Sequence, residues 1–413
     1  MAFDLADFGP PASGGTSASE RAARLGASLS GTNLARAGDY NQRVVLQAVR
    51  RNPDITRAEI ARMTGLTAPT IANITGRLFD AELIVDAGRT QGGRGQPATR
   101  LQINPDGCFA IGLNIDRDHV TLVALDLAGT VRSRFTRQIA FAMPDDVRAI
   151  VRDGVEAIQS GGSIDMARVL GVGVALPVDL GRVAMPHRPA DYTRWDGLDV
   201  SALIGDIVPW SIHIDNDAAA AAIGEAQFGS GHDHGSFFYL LVSAGLGGGL
   251  VIDGSYVRGA TARSGEIGFL PLRAGELSGK VLQDLVSLSG LTARLEAAGF
   301  AQGLNDPTIG LPAGSAAIVN AWIVDAADAL ATPLVAVNCL INPAAILISG
   351  RLPDDVLDRL AGAAYARLRD QAGALPAMAP IRRATLSRDA PAVGAAILPF
   401  LDRMLPSDSI LMK

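Results

Sequence analysis

Cysteine is nearly missing from this chain. Its 413 residues hold two, Cys108 and Cys339, far apart in sequence. That excludes a disulfide framework and any C-x-x-C metal or redox site, and a reduced, cytoplasmic setting is expected. The first residues lack the basic-then-apolar pattern of a secretory signal; Asp4 and Asp7 stand there instead. Unbroken apolar runs of membrane-spanning length are also missing. Residues 235–252 are rich in Gly and Ser and read as a hairpin. Residues 329–350 carry Pro333, Asn338, Asn342 and Pro343, breakers that predict helix, turn and buried strand, so no membrane partner is expected. A large excess of either charge is absent too, the net being −6. Apolar residues are plentiful at 48%, ample for a core, and the length predicts two or three folding units.

The charge that is present sits unevenly. Residues 40–104 hold nine Arg against five acids, a net of +4, while 105–413 carry a net of −9. A small basic module before a large acidic body suggests a nucleic-acid arm, although a surplus of this size also arises by chance on ordinary surfaces. Residues 1–38, rich in Gly, Ala, Ser and Pro, read as a mobile tail with a short helix near 20–25. From Tyr40 the pattern turns helical: Val44, Val45, Ala48 and Val49 share a face, and Asn52-Pro53 stops the helix. Thr56 opens T-x-x-E with Glu59, a capping box; its helix runs to about Met63, and Gly65 permits a tight turn. Thr67 caps a third helix over 67–81, with Pro69 in its first turn and Ile71, Ile74 and Leu78 inward. Leu83-Ile84-Val85 and Leu101-Gln102-Ile103 read as strands around a Gly- and Arg-rich loop. The sum is a winged helix-turn-helix at 39–104.

On the third helix, Thr67, Ala68, Thr70, Asn73 and Arg77 occupy the polar side. Asn73 suits adenine, and Arg77 suits guanine or phosphate. In the loop, Arg94 beside Gln96 suits a narrow A·T-rich minor groove, and Arg89 and Arg100 suit phosphates. Double-stranded operator DNA is the expected partner. The same residues also fit merely solvated helix positions and a plain glycine loop.

The body, 105–413, alternates strands and helices. Residues 110–116, 119–126 and 130–138 predict a three-strand meander, followed by a helix at 145–160 and a buried strand at 169–176. The scheme recurs with strands at 237–243, 248–252 and 345–348. Two similar α/β halves are predicted, one lobe at about 105–222 plus the C-terminal helix and the other at about 223–392, with a ligand cleft between them. After the apolar strand 211–214, Asn216 and Asp217 lead into an Ala-rich helix, at the strand end where open α/β sheets place ligands. A carboxylate and an amide suit sugar hydroxyls, and equally suit a helix cap.

Several stretches jointly carry a resemblance: Asp215-Asn216-Asp217-Ala218, then Gly224-Glu225, then Ser243-Ala244-Gly245-Leu246-Gly247-Gly248-Gly249, then Ser264-Gly265-Glu266-Ile267-Gly268, with Asn342-Pro343 before the strand end at Gly350. In these the chain resembles the ROK family of bacterial repressors and sugar kinases, from about Tyr40 onward, and the basic winged head is the arrangement of its regulators. The resemblance implies a two-lobed, actin-like (ribonuclease H-like) α/β domain. It implies Asp217 at the family's general-base position and Asn216 and Glu266 as sugar-binding residues. Gln283 stands near the position of a further sugar-binding Glu. Phe269 replaces a His, which suggests stacking on a sugar face. The zinc-binding cysteine run is missing from 273–281, so no metal and no cofactor are expected. The first phosphate loop, D-x-G-G-T in the kinases, reads Asp116-Arg117-Asp118-His119-Val120; side chains are expected to fill it and Asp118 to repel phosphate. Gly245, Gly247 and Gly248 survive, either as a vestigial phosphate cradle or as a hairpin requiring φ > 0. The implied function is a transcriptional regulator of carbohydrate genes, a repressor, acting as a homodimer or homotetramer and sensing a sugar or sugar derivative in a cleft without catalysis. The alternative is an active ATP-dependent sugar kinase with an added DNA-binding domain.

Overall fold

The head begins with helix α1, Leu34–Arg51, which starts six residues ahead of Tyr40. The Arg43–Asp39 ion pair, one turn apart at 3.2 Å, gives that early turn a partner that apolar periodicity does not reveal. The computed structural model describes residues 34–89, 98–178, 180–182, 188–272, 279–300, 310–371, 377–386 and 388–406. The expected tail helix at 20–25 and the wing residues Arg94 and Gln96 lie outside them.

Strand β1, Ile55–Thr56, leads directly into α2, Arg57–Thr64. The capping box forms as expected: Thr56 N–H donates to Glu59 Oε2 at 2.8 Å, and Glu59 N–H donates to Thr56 Oγ1 at 3.4 Å. Gly65 closes α2 at φ 70°, a conformation that favours glycine. Helix α3, Ala68–Asp80, is capped by Thr67 and buries Ile71, Ile74, Thr75 and Leu78. Strands β2, Ile84–Arg89, and β3, Thr99–Ile103, make the wing. The sheet order is β1-β3-β2; the two-residue β1 is too short to show a period in sequence.

The body contains two five-stranded sheets of one design. The first comprises β4 (Phe109–Ile115), β5 (His119–Asp126), β6 (Val131–Gln138), β7 (Val169–Leu176) and β8 (Ser211–Asn216), in the order β6-β5-β4-β7-β8. The second comprises β9 (Phe237–Val242), β10 (Leu246–Ile252), β11 (Ser255–Tyr256), β12 (Ala345–Gly350) and β13 (Ile381–Arg383), in the order β11-β10-β9-β12-β13. In each, an antiparallel meander is extended by two parallel strands. The near-continuous burial of β4, β5, β7, β9 and β12 follows from helices on their faces. These are α4 (Pro144–Ser160), the short α5 (Val200–Ile204), α6 (Asp217–Phe228), α7 (Leu288–Ala297), α8 (Ala316–Ile341), α9 (Asp354–Gln371) and α10 (Ala390–Arg403).

Helix α10 lies unusually close to its neighbours. A Cβ on Gly173 would stand 1.7 Å from Ala395 O, and one on Gly394 would stand 1.7 Å from Ala220 O. So α10 can seat against both β7 and α6 only where side chains are missing.

Pro333 does not break its helix. Helix α8 runs through it for 26 residues, because burial of Leu330, Ala331 and Leu334 around it outweighs the lost hydrogen bond of about 3 kcal/mol. Helix α8 is long and apolar enough to cross a membrane by length and composition. Here Trp322 is fully buried along its inner stripe, and its Nε1 donates to Leu285 O at 2.8 Å.

Candidate functional site

Strand β8 ends at Asn216, and α6 begins at Asp217, so the sheet delivers both side chains to the N-terminal end of one helix. Asn216 Oδ1 accepts from the Ala218 and Ala219 N–H groups at 2.9 and 3.1 Å, a true N-cap. Asp217 Oδ1 accepts from Ala218 N–H at 2.8 Å. Burial, followed by the nearby Asp116 carboxylate, pushes the Asp217 carboxyl up to about 7. Arg117 and the backbone hydrogen bond pull the other way, and Glu266 adds to the rise. Asp215, one residue earlier, is raised by burial and partly offset by its ion pair with Arg258 at 2.6 Å.

The glycine run meets this helix edge-on. A Cβ on Gly247 would stand 2.7 Å from Ala218 Cβ and 3.9 Å from Asp217 Oδ1; one on Gly248 would stand 2.3 Å from Gly265 O. None of residues 245–249 has a positive φ. The expected hairpin reason is therefore corrected: these glycines allow α6 and the Gly265-Glu266 loop to approach β10, and no left-handed turn is involved. A Cβ on Gly245 would stand 3.0 Å from Arg117 Nη1 and 3.1 Å from Gln283 Oε1. Asp217, Glu266, Gln283, Gly245, Gly247 and Gly248 thus lie near one another, where β10 meets the start of α6. Phe269 lies on the short turn after Glu266 and is 48% exposed.

The turn between β4 and β5 is filled with side chains. Asp116 Oδ1 accepts from Arg117 N–H at 2.7 Å, and Arg117 itself is 5% exposed. The expectation that Asp118 repels phosphate is corrected. Its Oδ1 accepts from Arg351 Nη1 at 2.6 Å and lies 2.8 Å from His119 Nδ1, and these partners hold its carboxyl below the usual range against the effect of burial. Arg351 also donates to Gln138 Oε1 at 3.1 Å. Because Arg351 follows β12 and Asp118 precedes β5, this buried pair fastens one sheet to the other. Asp116, Asp118 and His119 lie close enough to hold a metal ion, but the Arg351 guanidinium already supplies the positive charge there.

Zinc wants thiolate and imidazole ligands; Cys108 is buried and Cys339 exposed elsewhere, and Phe269 replaces the imidazole. At the turn after β4, Arg117, Asp118 and Arg351 are all buried, and the last two are paired.

In the head, Thr67, Ala68, Asn73 and Arg77 are exposed on α3, while Thr70 is half-buried. The Thr67 and Thr70 hydroxyls lie 2.8 Å apart and are engaged in the cap. Arg89 is exposed, and Arg100 stands 3.9 Å from Asp54.

Sequence reasoning missed how the head is joined to the body. Arg50, in the last turn of α1, donates to Gln227 O at 3.2 Å and stacks 4.5 Å above the Phe228 ring; Gln47 Nε2 donates to Gln227 Oε1 at 3.2 Å. Burial lowers Arg50 to about 10. Gln227 and Phe228 form the C-terminal end of α6, the helix whose first turn carries Asp217. The Arg50-Arg51 pair at a helix end was the visible signal, and it reads equally as a charge complementing the helix dipole. Glu225 is fully buried, and its carboxylate accepts from Ser230, Thr385 and Leu386 N–H groups at 2.8–2.9 Å, fixing α6 to the second sheet's last connection.

The sequence profile of the ROK family matches residues 110–400, and that of winged helix-turn-helix DNA-binding modules matches residues 39–85. An uncharacterized protein of Sinorhizobium fredii, y4fQ, is 29% identical over 87% of this chain and 90% of its own length. The xylose repressor of Bacillus subtilis is 25% identical over 56% of this chain, an alignment that spans 60% of the repressor. Among solved structures, a ROK family transcriptional regulator described as a homolog of the E. coli MLC protein superposes with a TM-score of 0.66 over 91% of this chain and 99% of its own, at 22% identity.

Proposed function

This chain belongs to the ROK family, and on that premise we propose that it is a cytoplasmic transcriptional repressor whose operator affinity is set by a sugar or sugar derivative. One observation carries the reading. A single helix, α6, bears Asn216 and Asp217 at its start and the Arg50 contact at its end. Twelve residues at about 1.5 Å each give roughly 18 Å of rigid rod between cleft and DNA head. A relative, the xylose repressor of Bacillus subtilis, carries the same pairing of sugar and repression in its name.

The head, residues 39–104, reads operator bases from α3 through Asn73 and Arg77 and anchors through Arg89 and Arg100. The body, 105–413, holds the ligand with Asn216, Asp217, Glu266 and Gln283, and Phe269 flanks it. Since Asn216 Oδ1 is spent on the cap, its amide N–H group is what remains for a ligand hydroxyl. Ligand closure moves α6 and thereby α1, so the paired heads of a homo-oligomer no longer match their half-sites. Asp217 keeps a general-base position but has no nucleotide to act on, because Arg117 and the Asp118–Arg351 pair fill the phosphate side.

The test is operator footprinting at moderate salt with and without a sugar panel, beside an ADP-release assay with ATP, Mg²⁺ and the same sugars. Protection relieved by one sugar, with no ADP, is the expected result. Sugar-dependent ADP release abolished by Asp217→Ala would instead establish the kinase reading.

A further inference from the structure

We propose that the ligand of this cleft carries an anionic group, a carboxylate or phosphate on a sugar, and that the Arg117 guanidinium grips it. This rests on the reading of the cleft as a sugar site and narrows its ligand class.

The starting point is an anomaly of charge. Arg117 is 95% withdrawn from solvent, yet among the described residues it makes no ion pair and its Nε has no hydrogen-bond partner. Burying a cation without a partner costs several kcal/mol. The comparably buried arginines are matched: Arg43 with Asp39, and Arg351 with Asp118. Neither of the two carboxylates beside Arg117 in sequence forms an ion pair with its guanidinium. Asp116 accepts from the Arg117 backbone N–H, and Asp118 is bound by Arg351 and His119.

Placement supplies the rest. The guanidinium lies against Gly245 with Gln283 Oε1 at the same point, and it is close enough to Asp217 to lower that group's pKa. It therefore faces the polar side of the cleft. A side chain at 245 would crowd both groups. A guanidinium is a planar fork of donors that matches two oxygens of a carboxylate or phosphate, which a neutral hydroxyl cannot reproduce. Asp217, Asp116 and Glu266 are the opposing acids. Asp217, held up to about 7, contributes only part of a charge near neutrality, and protonated it becomes a donor to the same anion.

The experiment titrates the full chain by calorimetry with matched sets: glucose, glucuronate and glucose 6-phosphate; galactose, galacturonate and galactose 6-phosphate; xylose and xylonate. One acidic member is expected to bind at least tenfold more tightly than its neutral parent, and whether it is the carboxylate or the phosphate identifies the group. Arg117→Met should erase that preference while leaving the neutral parent's affinity within about threefold, and Arg117→Lys should restore only part of it. Melting separates this from a structural role: Arg117→Met should leave the ligand-free Tm unchanged or raised, whereas a residue serving the fold would lower it. Equal or tighter binding of the neutral parents, or an acid preference that survives Arg117→Met, overturns the proposal while sparing the sugar-site reading. Binding of no sugar of either kind overturns both.

Discussion

Asp217 shows how one buried carboxyl ties stability to pH. Its native pKa is pushed up to about 7 by burial and by Asp116, against an ordinary value of 3.8. Between those values the folded protein holds a proton that the unfolded chain has released. Folding stability therefore falls as pH rises from about 4 through about 7 and is level above. The full shift corresponds to a loss on the order of 4 kcal/mol. Asp217→Asn keeps the acceptor oxygen for Ala218 N–H and removes the titration. The expected result is a variant that matches or trails the wild type near pH 4 and melts at higher temperature at pH 7 and above, with the gap opening across that interval. Melts at pH 4, 5.5, 7 and 8 check it; a gap that stays constant with pH removes burial as the cause.

At the scale of an element, the proposed coupling rests on helix α6. Its end contact with α1 is small: one stacked cation and a few hydrogen bonds through Gln47, Arg50 and Gln227. Arg50→Met retains apolar area over Phe228 while deleting the donors, so the fold should lose only about 1–2 kcal/mol. The operator-releasing effect of a ligand should shrink toward onefold, with operator affinity and ligand affinity each staying within about threefold. Operator titrations with and without ligand read this directly; an undiminished effect would put the coupling elsewhere. Much of this architecture was legible in sequence. The capping box at Thr56, the Thr67 cap, the meander and its repetition all follow from local periodicity and turn chemistry, which a short window displays. The candidate site residues stand in the sequence as a motif. What escaped depends on distant partners. Gly247 and Gly248 looked like turn glycines because nothing near them in sequence shows α6 and Gly265 pressing on β10. Asp118 looked repulsive because Arg351, its counter-ion, lies 233 residues away. Pro333 looked like a stop because the burial that overrides it comes from tertiary contacts.

For the whole molecule, the question is whether the DNA head is a separate unit or part of the body. One apolar core runs without interruption from Val45, Leu46, Ile71 and Leu78 in the head through Leu101 and Cys108 to Val123, Ile397, Phe400 and Met404 in the body. Arg43 reinforces the junction by donating to Asp402 O at 2.7 Å, and Arg168 pairs with Glu82. A head tethered only by a linker would melt alone; a shared core makes unfolding of either half expose the other's apolar surface. The sequence supplies a convenient pair of probes. All three tryptophans, Trp195, Trp210 and Trp322, lie in the body, so their fluorescence reports the body alone, while circular dichroism at 222 nm sums α1, α2 and α3 with the rest. The two melting curves of the full chain are expected to coincide within about 1 °C. Arg43→Met combined with Leu46→Ala should lower both together, the Leu46 truncation alone costing about 2–5 kcal/mol by leaving a cavity at the junction. A helical signal that drops first while tryptophan emission holds would mean that the head unfolds independently. In that case α6 would have a loosely held lever to push against, and a shift of a few ångströms at the cleft would dissipate before reaching the operator.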